Sequence, residues 1–301
     1  MQDPRLTEQR NPRSRSLDRL DAQGLVDLIN EEDHLVAPAV GRERERIARA
    51  VDLAVAAFRS GGRLLYVGAG TSGRLGVLDA SEMPPTFRSP PEQVQGIIAG
   101  GQEALTRARE GAEDEADAGA RAVDERSVGP ADFVLGIATS GTTPYVHGAL
   151  DRARERGSRT GFLLCTDPEP EWEERYDVVI APRVGPEVIT GSTRMKAGTA
   201  TKLVLNTLST AAMVLSGKVH GNLMVDLSVN SEKLRDRAQR IVMETVGVDR
   251  SGAEALLDAA GGHVKTALVM GLRSVERNRA EALLEAAGGR VAGALSGEAP
   301  E

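Results

Sequence analysis

The stretch LLYVGAGTSGRLGVLDASEMPPTF, residues 64–87, joins a short apolar run to a turn rich in glycine and hydroxyl side chains. Residues 64–67 are apolar and lie between glycines, as expected for a parallel strand that is buried on both faces of a sheet. The glycines allow a ligand to approach the backbone, and Ser72 is a candidate N-cap for a helix whose N-terminus would face an anion. The stretch therefore predicts a strand, a phosphate cradle and a helix.

The turn at residues 68–73 differs from the two common nucleotide-binding loops. It has the GxGxxG spacing, but no acidic residue is clearly placed in a second strand to bind a ribose. Arg74 follows Gly73, so the lysine and hydroxyl residue of a Walker A loop are missing. The hydroxyl-rich loop therefore favours a phosphosugar, and a tight turn without a ligand is the alternative.

Glu82 lies near the predicted end of this helix, because Pro84 and Pro85 are expected to stop it. A carboxylate at the negative end of the helix dipole is harder to ionise, and such a group is a usable general acid. On chemistry alone, an ordinary exposed glutamate at a frayed helix end is the favoured interpretation.

Composition and charge exclude several classes of protein. The 301 residues are 41% hydrophobic and 27% charged, as in a soluble globular protein, and the net charge of −7 argues against a dedicated nucleic-acid or membrane-surface protein. Cys165 is the single cysteine, so no intrachain disulfide is expected. No signal peptide or membrane span is evident, which predicts a cytoplasmic protein. The four histidines lack metal-ligand spacing, so neither a metal nor another cofactor is predicted: His34, His147, His220 and His263.

Apolar runs alternate with helical patterns through the middle of the chain, which predicts a doubly wound α/β domain with about five parallel strands. The first 22 residues are polar and predict an extended arm, and residues 23–58 have a helical pattern. The predicted strands are residues 64–67, 94–99, 133–139, 160–165 and 178–181, and the helices between them include residues 102–110 and 144–156.

Three predicted strands end in clusters of glycine and hydroxyl residues, where ligands of such sheets bind. Pro144 suits the first position of a helix after the second cluster. In the third cluster Ser192 or Thr193 is expected to cap a long helix, and Arg194 and Lys196 add positive charge. Ordinary turns are also rich in these residues, but three clusters at one sheet edge favour a phosphate-bearing ligand. The candidate binding residues are Gly70, Thr71, Ser72, Gly73, Thr139, Ser140, Gly141, Thr142, Thr143, Ser192, Thr193 and Lys196.

Residues 110–117 form a dense acidic run. Neighbouring carboxylates raise one another's pKa, which acid/base catalysis could use, but a solvated charged face is the default interpretation. The spacing does not say which of these carboxylates, if any, reaches a substrate.

The C-terminal part of the chain has a different character. A charged amphipathic helix is predicted at residues 230–242, and residues 253–268 recur as residues 280–295, each copy being helix, Gly-Gly and helix. Two copies are too few for a solenoid, so a small helical appendage for packing or oligomerisation is predicted.

Motifs along most of the chain resemble, in order, the N-acetylmuramic acid 6-phosphate etherases of the sugar isomerase (SIS) superfamily. They are TEQRNP at 7–12, GAGTSGRLGVLDASE at 68–82, PPTF at 84–87, IAGG at 98–101, EGAED at 110–114, GPEVITGSTRMKAGTATK at 185–202 and GNLMVDL at 221–227. The resemblance implies an SIS-type three-layer α/β sandwich with a five-stranded parallel sheet, plus a small all-helical C-terminal domain. We expect N-terminal helices at 1–60, the phosphosugar domain at 61–228 and the helical domain at 229–301.

The resemblance also implies an activity, which is cleavage of the D-lactyl ether of N-acetylmuramic acid 6-phosphate in muramic acid catabolism or cell-wall recycling. The family's two acid/base glutamates fall on Glu82 and Glu113. Thr142 replaces a common arginine, Met83 a common cysteine and Thr201 a common glutamine, which leaves the anion contacts open. A single SIS domain implies a homodimer with the site at the subunit interface.

Two other functions stay open on the sequence. A phosphosugar isomerase would share proton abstraction at C2 but release no lactate. A non-catalytic phosphosugar sensor would resemble the glucokinase regulatory protein, which carries two SIS domains.

Overall fold

The computed structural model describes residues 3, 5–227 and 231–297. They pack into two compact units. The sheet unit comprises the chain up to Ser81 and Glu92–Ser209, and the helical unit comprises Glu82–Pro91 and the chain from Thr210 onward. The domain boundaries expected from the sequence stay predictions.

Five parallel strands form the sheet of the first unit, as predicted, in the order β2-β1-β3-β4-β5. Their bounds are β1 Leu64–Gly68, β2 Val94–Ile98, β3 Phe133–Ile137, β4 Arg159–Leu163 and β5 Val178–Ile180. Strand β1 lies inside the sheet, because Leu64 is paired with Val94 on one side and with Phe133 on the other. It is fully buried, which explains why its sequence is an uninterrupted apolar run.

Helices cover both faces of the sheet, so the α/β sandwich with three layers is confirmed. Their bounds are α1 Ala22–Asp33, α2 Val36–Arg42, α3 Arg44–Arg59, α4 Gly70–Phe87, α5 Ala116–Glu125, α6 Pro144–Glu155, α7 Pro170–Arg175 and α8 Lys196–Leu215. Leu65 and Val67 share a core with Val146 of α6. Tyr66 points to the opposite face, where its hydroxyl donates to Asp79 of α4 at 3.0 Å.

The N-terminal segment is not an extended arm. It forms short 3₁₀ turns and packs onto the sheet unit, where Thr7 is fully buried. The Leu6 N–H donates to Thr166 Oγ1 at 3.0 Å, and the Gly191 N–H donates to the Thr7 carbonyl at 3.2 Å. The polar composition predicted an extended arm, but loops that follow β4 and β5 provide hydrogen-bond partners for backbone groups of this segment.

Two helix predictions are wrong. Helix α4 passes through Pro84 and ends at Phe87, and the Arg88 N–H donates to the Pro84 carbonyl at 2.9 Å. The predicted helix at 102–110 is only a 3₁₀ turn, Gln102–Leu105. Within that turn only Ala104 is buried, so a longer helix would have had little apolar surface to pack.

The helical unit contains α9 Glu232–Val246, α10 Arg250–Ala259, α11 Val264–Arg273, α12 Arg277–Ala286 and α13 Val291–Ser296. The predicted internal repeat is confirmed in detail. Gly262 and Gly289 both have φ of +77°. The Gly262 N–H donates to Leu257 at 2.8 Å, and the Gly289 N–H donates to Leu284 at 2.7 Å. Both breaks are therefore left-handed helix ends that favour glycine.

Helices α5 and α6 approach each other through glycines. A Cβ atom on Gly119 would lie 1.9 Å from the Tyr145 carbonyl oxygen, and one on Gly148 would lie 2.1 Å from that of Ala116. Backbone atoms cannot move aside as a flexible side chain can. The two glycines therefore set the distance between these helices, and with it the position of the loops that precede them.

Gly119→Ala should lower the free energy of unfolding by about 1–3 kcal/mol, because the added methyl group overpacks this contact. Urea unfolding measures the change. Gly129→Ala is the matched control, since its Cβ would meet nothing within 4 Å. Equal stability of the two variants would contradict the tight α5–α6 contact.

Candidate functional site

The first two predicted clusters lie beside each other at the carboxyl edge of the sheet. Strand β1 leads to β2 on one side, and β3 leads to β4 on the other, although β1 and β3 are neighbours. The connections therefore diverge between β1 and β3. Such a switch point is where open α/β sheets bind ligands.

The β1–α4 turn presents the start of a helix. Helix α4 begins at Gly70, so Ser72 lies in its first turn, and the prediction that Ser72 is the N-cap is wrong. The Gly73 N–H donates to the Ala69 carbonyl at 3.2 Å. The amides of Gly70, Thr71 and Ser72 are the first three of the helix, so they have no acceptor within it and form a candidate anion-binding site.

The glycines of this turn have different roles. A Cβ on Gly73 would lie 2.6 Å from Ile98 Cγ1 and 2.7 Å from the Gly68 carbonyl oxygen, so Gly73 is required by packing. Gly70 has φ of +52°, and its missing Cβ faces open space. Gly70 is therefore the glycine that leaves room for a ligand.

The loop after β3 is supported from below by aromatic side chains. Its Gly141 has φ of +82°, and a Cβ there would lie 2.8 Å from Trp172. His147 Nε2 lies 2.7 Å from the Gly141 carbonyl, and its Nδ1 lies 3.1 Å from the Tyr176 hydroxyl. Among the hydroxyls, Thr142 is exposed, whereas Thr139, Ser140 and Thr143 are half-buried. Pro144 is the first residue of α6, as predicted.

The third cluster is built differently from the prediction. Ser192 and Thr193 are half-buried and precede α8, but the helix is capped by Glu187. Its carboxylate accepts from the N–H groups of Lys196 at 3.0 Å and Ala197 at 2.9 Å. Burial raises the pKa of Glu187 above its ordinary value, and these two amide bonds offset part of that rise.

Lys196 is 1% exposed, and its ammonium group is bonded to Glu32 of α1. Glu32 also accepts from Asn11 at 2.8 Å and from Arg13 at 3.0 Å. Burial opposes ionisation of Glu32, but the bonds from Lys196 and Asn11 outweigh it and lower its pKa. The charge of Lys196 thus pairs with a buried cluster that connects the N-terminal segment and α1 to α8. It does not face the open space at the strand ends, where a ligand was predicted to bind.

Lys196→Met should lower the free energy of unfolding by about 3–5 kcal/mol, because Glu32 would lose its buried cationic partner. Thermal and urea unfolding test this. Glu32→Gln added to Lys196→Met should recover part of the loss, since it removes a carboxylate charge that has lost its buried partner and keeps only the exposed Arg13 as an ion-pair partner. Arg194→Met is the exposed control. A Lys196→Met protein as stable as the wild type would contradict the cluster's structural role.

Glu113 and the β1–α4 turn line one cavity of about 160 Å³. Glu113 lies in a 3₁₀ turn, Ala112–Asp114, and its side chain is exposed. The cavity lining is Ala69, Gly70, Arg74, Ala99, Ala104, Ala108, Arg109, Glu110, Ala112 and Glu113. The structure therefore brings one predicted catalytic residue to one predicted binding loop, with two arginines beside them.

Glu82 lies in the helical unit, in the last turn and a half of α4, and is exposed. It is an interior residue of the helix rather than its end, so the predicted effect of the helix terminus does not apply. The neighbouring Met83 is 5% exposed and anchors this part of the helix.

The sequence did not predict that Glu187 caps α8 or that Asn11 and Glu32 form a buried cluster with Lys196. Glu187 is fully buried, yet nothing near it in the sequence marks a buried carboxylate. Arg74 and Arg109 were also missed, although Arg74 directly follows the predicted cradle. That adjacency was a signal available in the sequence.

Neither a metal-binding cluster nor a membrane-spanning helix is found among the residues that the structure describes. Across residues 3, 5–227 and 231–297, no three His, Cys, Asp or Glu side chains are grouped so that they could hold a metal ion. No helix in these ranges has the length and apolarity that crossing a bilayer requires.

Curated relatives match nearly the whole chain. N-acetylmuramic acid 6-phosphate etherase of Gloeobacter violaceus is 59% identical over 265 residues, which are 88% of this chain and 86% of that protein. The etherase of Synechococcus elongatus is 55% identical over 88% of this chain and 86% of that protein. The chain belongs to the N-acetylmuramic acid 6-phosphate etherase family. A model of the glucokinase regulatory protein N-terminal SIS domain also matches, over residues 46–154 of this etherase-family chain.

Solved structures of low sequence identity resemble this etherase-family chain in part. Phosphoheptose isomerase GmhA from Neisseria gonorrhoeae is 17% identical with a TM-score of 0.47, covering 63% of this chain and 97% of that one. A phosphoheptose isomerase from Francisella tularensis is 17% identical with a TM-score of 0.47, covering 66% of this chain and 98% of that one. At these scores the likeness adds nothing to the sheet topology described above.

Proposed function

We propose that this protein cleaves the D-lactyl ether of N-acetylmuramic acid 6-phosphate and releases N-acetylglucosamine 6-phosphate and D-lactate. The observation that carries the proposal is 52–59% identity, over 88% of the chain, to relatives named for that etherase activity. The cavity that joins Glu113 to the β1–α4 turn supports it, because an acid/base group lies beside an anion-binding helix start.

The phosphate group is held at the switch point. The amides at the start of α4 and the hydroxyls of Thr71 and Ser72 supply donors on one side. Further donors come from the hydroxyls of the loop after β3 and from Ser192 and Thr193 in the loop before α8. Ser140 Oγ lies 3.2 Å from Thr142 Oγ1, so these two hydroxyls already share a hydrogen bond that a phosphate oxygen could replace.

The chemistry is an elimination followed by addition of water. In the open-chain aldehyde the carbonyl acidifies the C2 proton, and the lactyl ether oxygen on C3 is the leaving group. Glu113 removes the C2 proton, the C3–O bond breaks, and Glu82 protonates the departing lactate oxygen. Water then adds at C3, and a proton returns to C2, with one glutamate assisting. Each proton transfer contributes on the order of 10²–10⁴ in rate.

A homodimer completes the site in this proposal, as the resemblance to SIS proteins implies. We further propose that the protein acts in the cytoplasm, in muramic acid catabolism or cell-wall recycling.

A non-catalytic phosphosugar sensor is the second candidate. The match to an SIS domain model named for a regulatory protein favours it. Measurement of D-lactate released from N-acetylmuramic acid 6-phosphate separates the two, with the unphosphorylated sugar as the control substrate. Phosphosugar binding without lactate release would favour the sensor.

Glu113→Gln and Glu82→Gln should each reduce D-lactate release by about 10²–10⁴-fold, because neither amide can transfer the proton. Steady-state kinetics of the purified variants measure this. Asp114→Asn is the control, an exposed acid next to Glu113 that lines no cavity described here. Near-normal lactate release by Glu82→Gln would disprove its role as general acid.

The two inactive variants also test how the dimer shares its site. If each site takes Glu82 from one chain and Glu113 from the other, refolding the variants together should restore about one quarter of wild-type activity, since half of the dimers are mixed and each mixed dimer has one intact site. No recovery, with mixed dimers confirmed by mass spectrometry, would place both glutamates of a site on the same chain. A fully active monomer in sedimentation would rule out the dimer itself.

A further inference from the structure

The cavity beside Glu113 is lined by two arginines that the proposed acid/base chemistry does not use. Arg74, Arg109, Glu110 and Glu113 all line a space of about 160 Å³. Oppositely charged side chains in so small a space would be expected to pair. Among the described residues, however, no ion pair joins either arginine to either glutamate, and Arg109 instead lies 3.4 Å from Glu103.

Arg74 is fixed in place while its charge stays available. It lies in the early part of α4 and is half-buried. Its Nε donates to the Leu105 carbonyl at 3.1 Å, and that bond orients the planar guanidinium group. The two terminal nitrogens have no carboxylate partner in the part of the chain that the structure describes. An oriented guanidinium fork of this kind suits two parallel hydrogen bonds to a carboxylate.

Arg109 is held only loosely. Its Nη1 lies 3.4 Å from the Gly100 carbonyl and 3.4 Å from Glu103, and its side chain is about half exposed. Long contacts of this kind contribute little, so Arg109 can turn towards an anion at small cost.

The position of the cavity indicates which part of a substrate it accepts. It is lined by Glu113 and Arg74, and a second cavity of about 360 Å³ shares Arg109 with it, so the bound group lies between the acid/base residue and the arginines. On the proposed substrate the lactyl group fits this position, because it is attached to C3, next to the C2 proton that Glu113 removes.

We propose that Arg74, assisted by Arg109, binds the carboxylate of the lactyl group and so selects ethers that carry this acid. The inference rests on the proposed etherase activity. The 6-phosphate is left to the amides of α4 and the hydroxyl loops, so the two anionic groups of the substrate have separate binding partners. Because the arginines neutralise the carboxylate, it does not repel Glu113 as that group removes the proton.

Arg74→Met tests this assignment, with kinetics and product binding measured on the same variant. We expect KM for N-acetylmuramic acid 6-phosphate to rise about 10- to 100-fold, since a charge-assisted double hydrogen bond is lost. Inhibition by N-acetylglucosamine 6-phosphate, which lacks the carboxylate, should change by less than about twofold, and inhibition by D-lactate should weaken. Arg74→Lys should recover part of the loss, because it keeps the charge but not the fork.

Arg107→Met is the control for removal of a nearby arginine, because Arg107 is exposed, lies two residues from Arg109 and lines no cavity described here. Equal loss of substrate and product binding in Arg74→Met would overturn the inference and assign Arg74 to the phosphate. An unchanged KM would overturn it as well. Retained product inhibition shows that the variant is folded. If the wild type binds the product but releases no lactate, the proposed function fails first, and that outcome is distinguishable from a failure of the Arg74 assignment.

Discussion

Close packing of α4 on the strands beneath it is the constraint on which the candidate site depends. A Cβ on Gly76 would lie 2.8 Å from Tyr66 Cβ, and one on Gly96 would lie 2.6 Å from the Val77 backbone. Gly73 makes the same close approach to Ile98. These contacts hold the first turns of α4 against β1 and β2. The helix start, which carries the candidate anion-binding amides, is therefore positioned by the sheet and not by a flexible loop.

The loop between β5 and α8 is fixed by charge instead of glycine. Glu187 caps α8, and the Lys196–Glu32 pair joins that helix to α1 and to the N-terminal segment. Breaking such a pair is costly, but the pair itself contributes little net stability compared with apolar packing. The pair favours one arrangement of α1 and α8, because any other packing would leave a buried charge without its partner. The loop with Ser192 and Thr193 gains its position in this way.

The sheet could be predicted from the sequence, because β1, β3 and β5 are fully buried and their sequences are short runs of apolar residues and glycine. The errors arose where a distant residue decides the structure. Lys196 looked like a ligand-binding cation, but its partner Glu32 lies 164 residues away in sequence. Ser192 and Thr193 were predicted to cap α8, but the carboxylate of Glu187 accepts the hydrogen bonds from its first amides. Local rules for helix ends cannot show that a buried carboxylate is nearby.

Glu82 and Glu113 are each exposed in the single chain, whereas carboxylates that transfer protons act best when water is excluded. In the proposed mechanism, the two glutamates would therefore be shielded from water by a bound substrate or by a second chain. A phosphosugar at the switch point would cover part of the cavity that Glu113 lines, and a second chain would cover more. In the proposed mechanism, substrate binding would contribute to catalysis by removing water from the reacting carbons, and a second chain would do the same in the proposed homodimer.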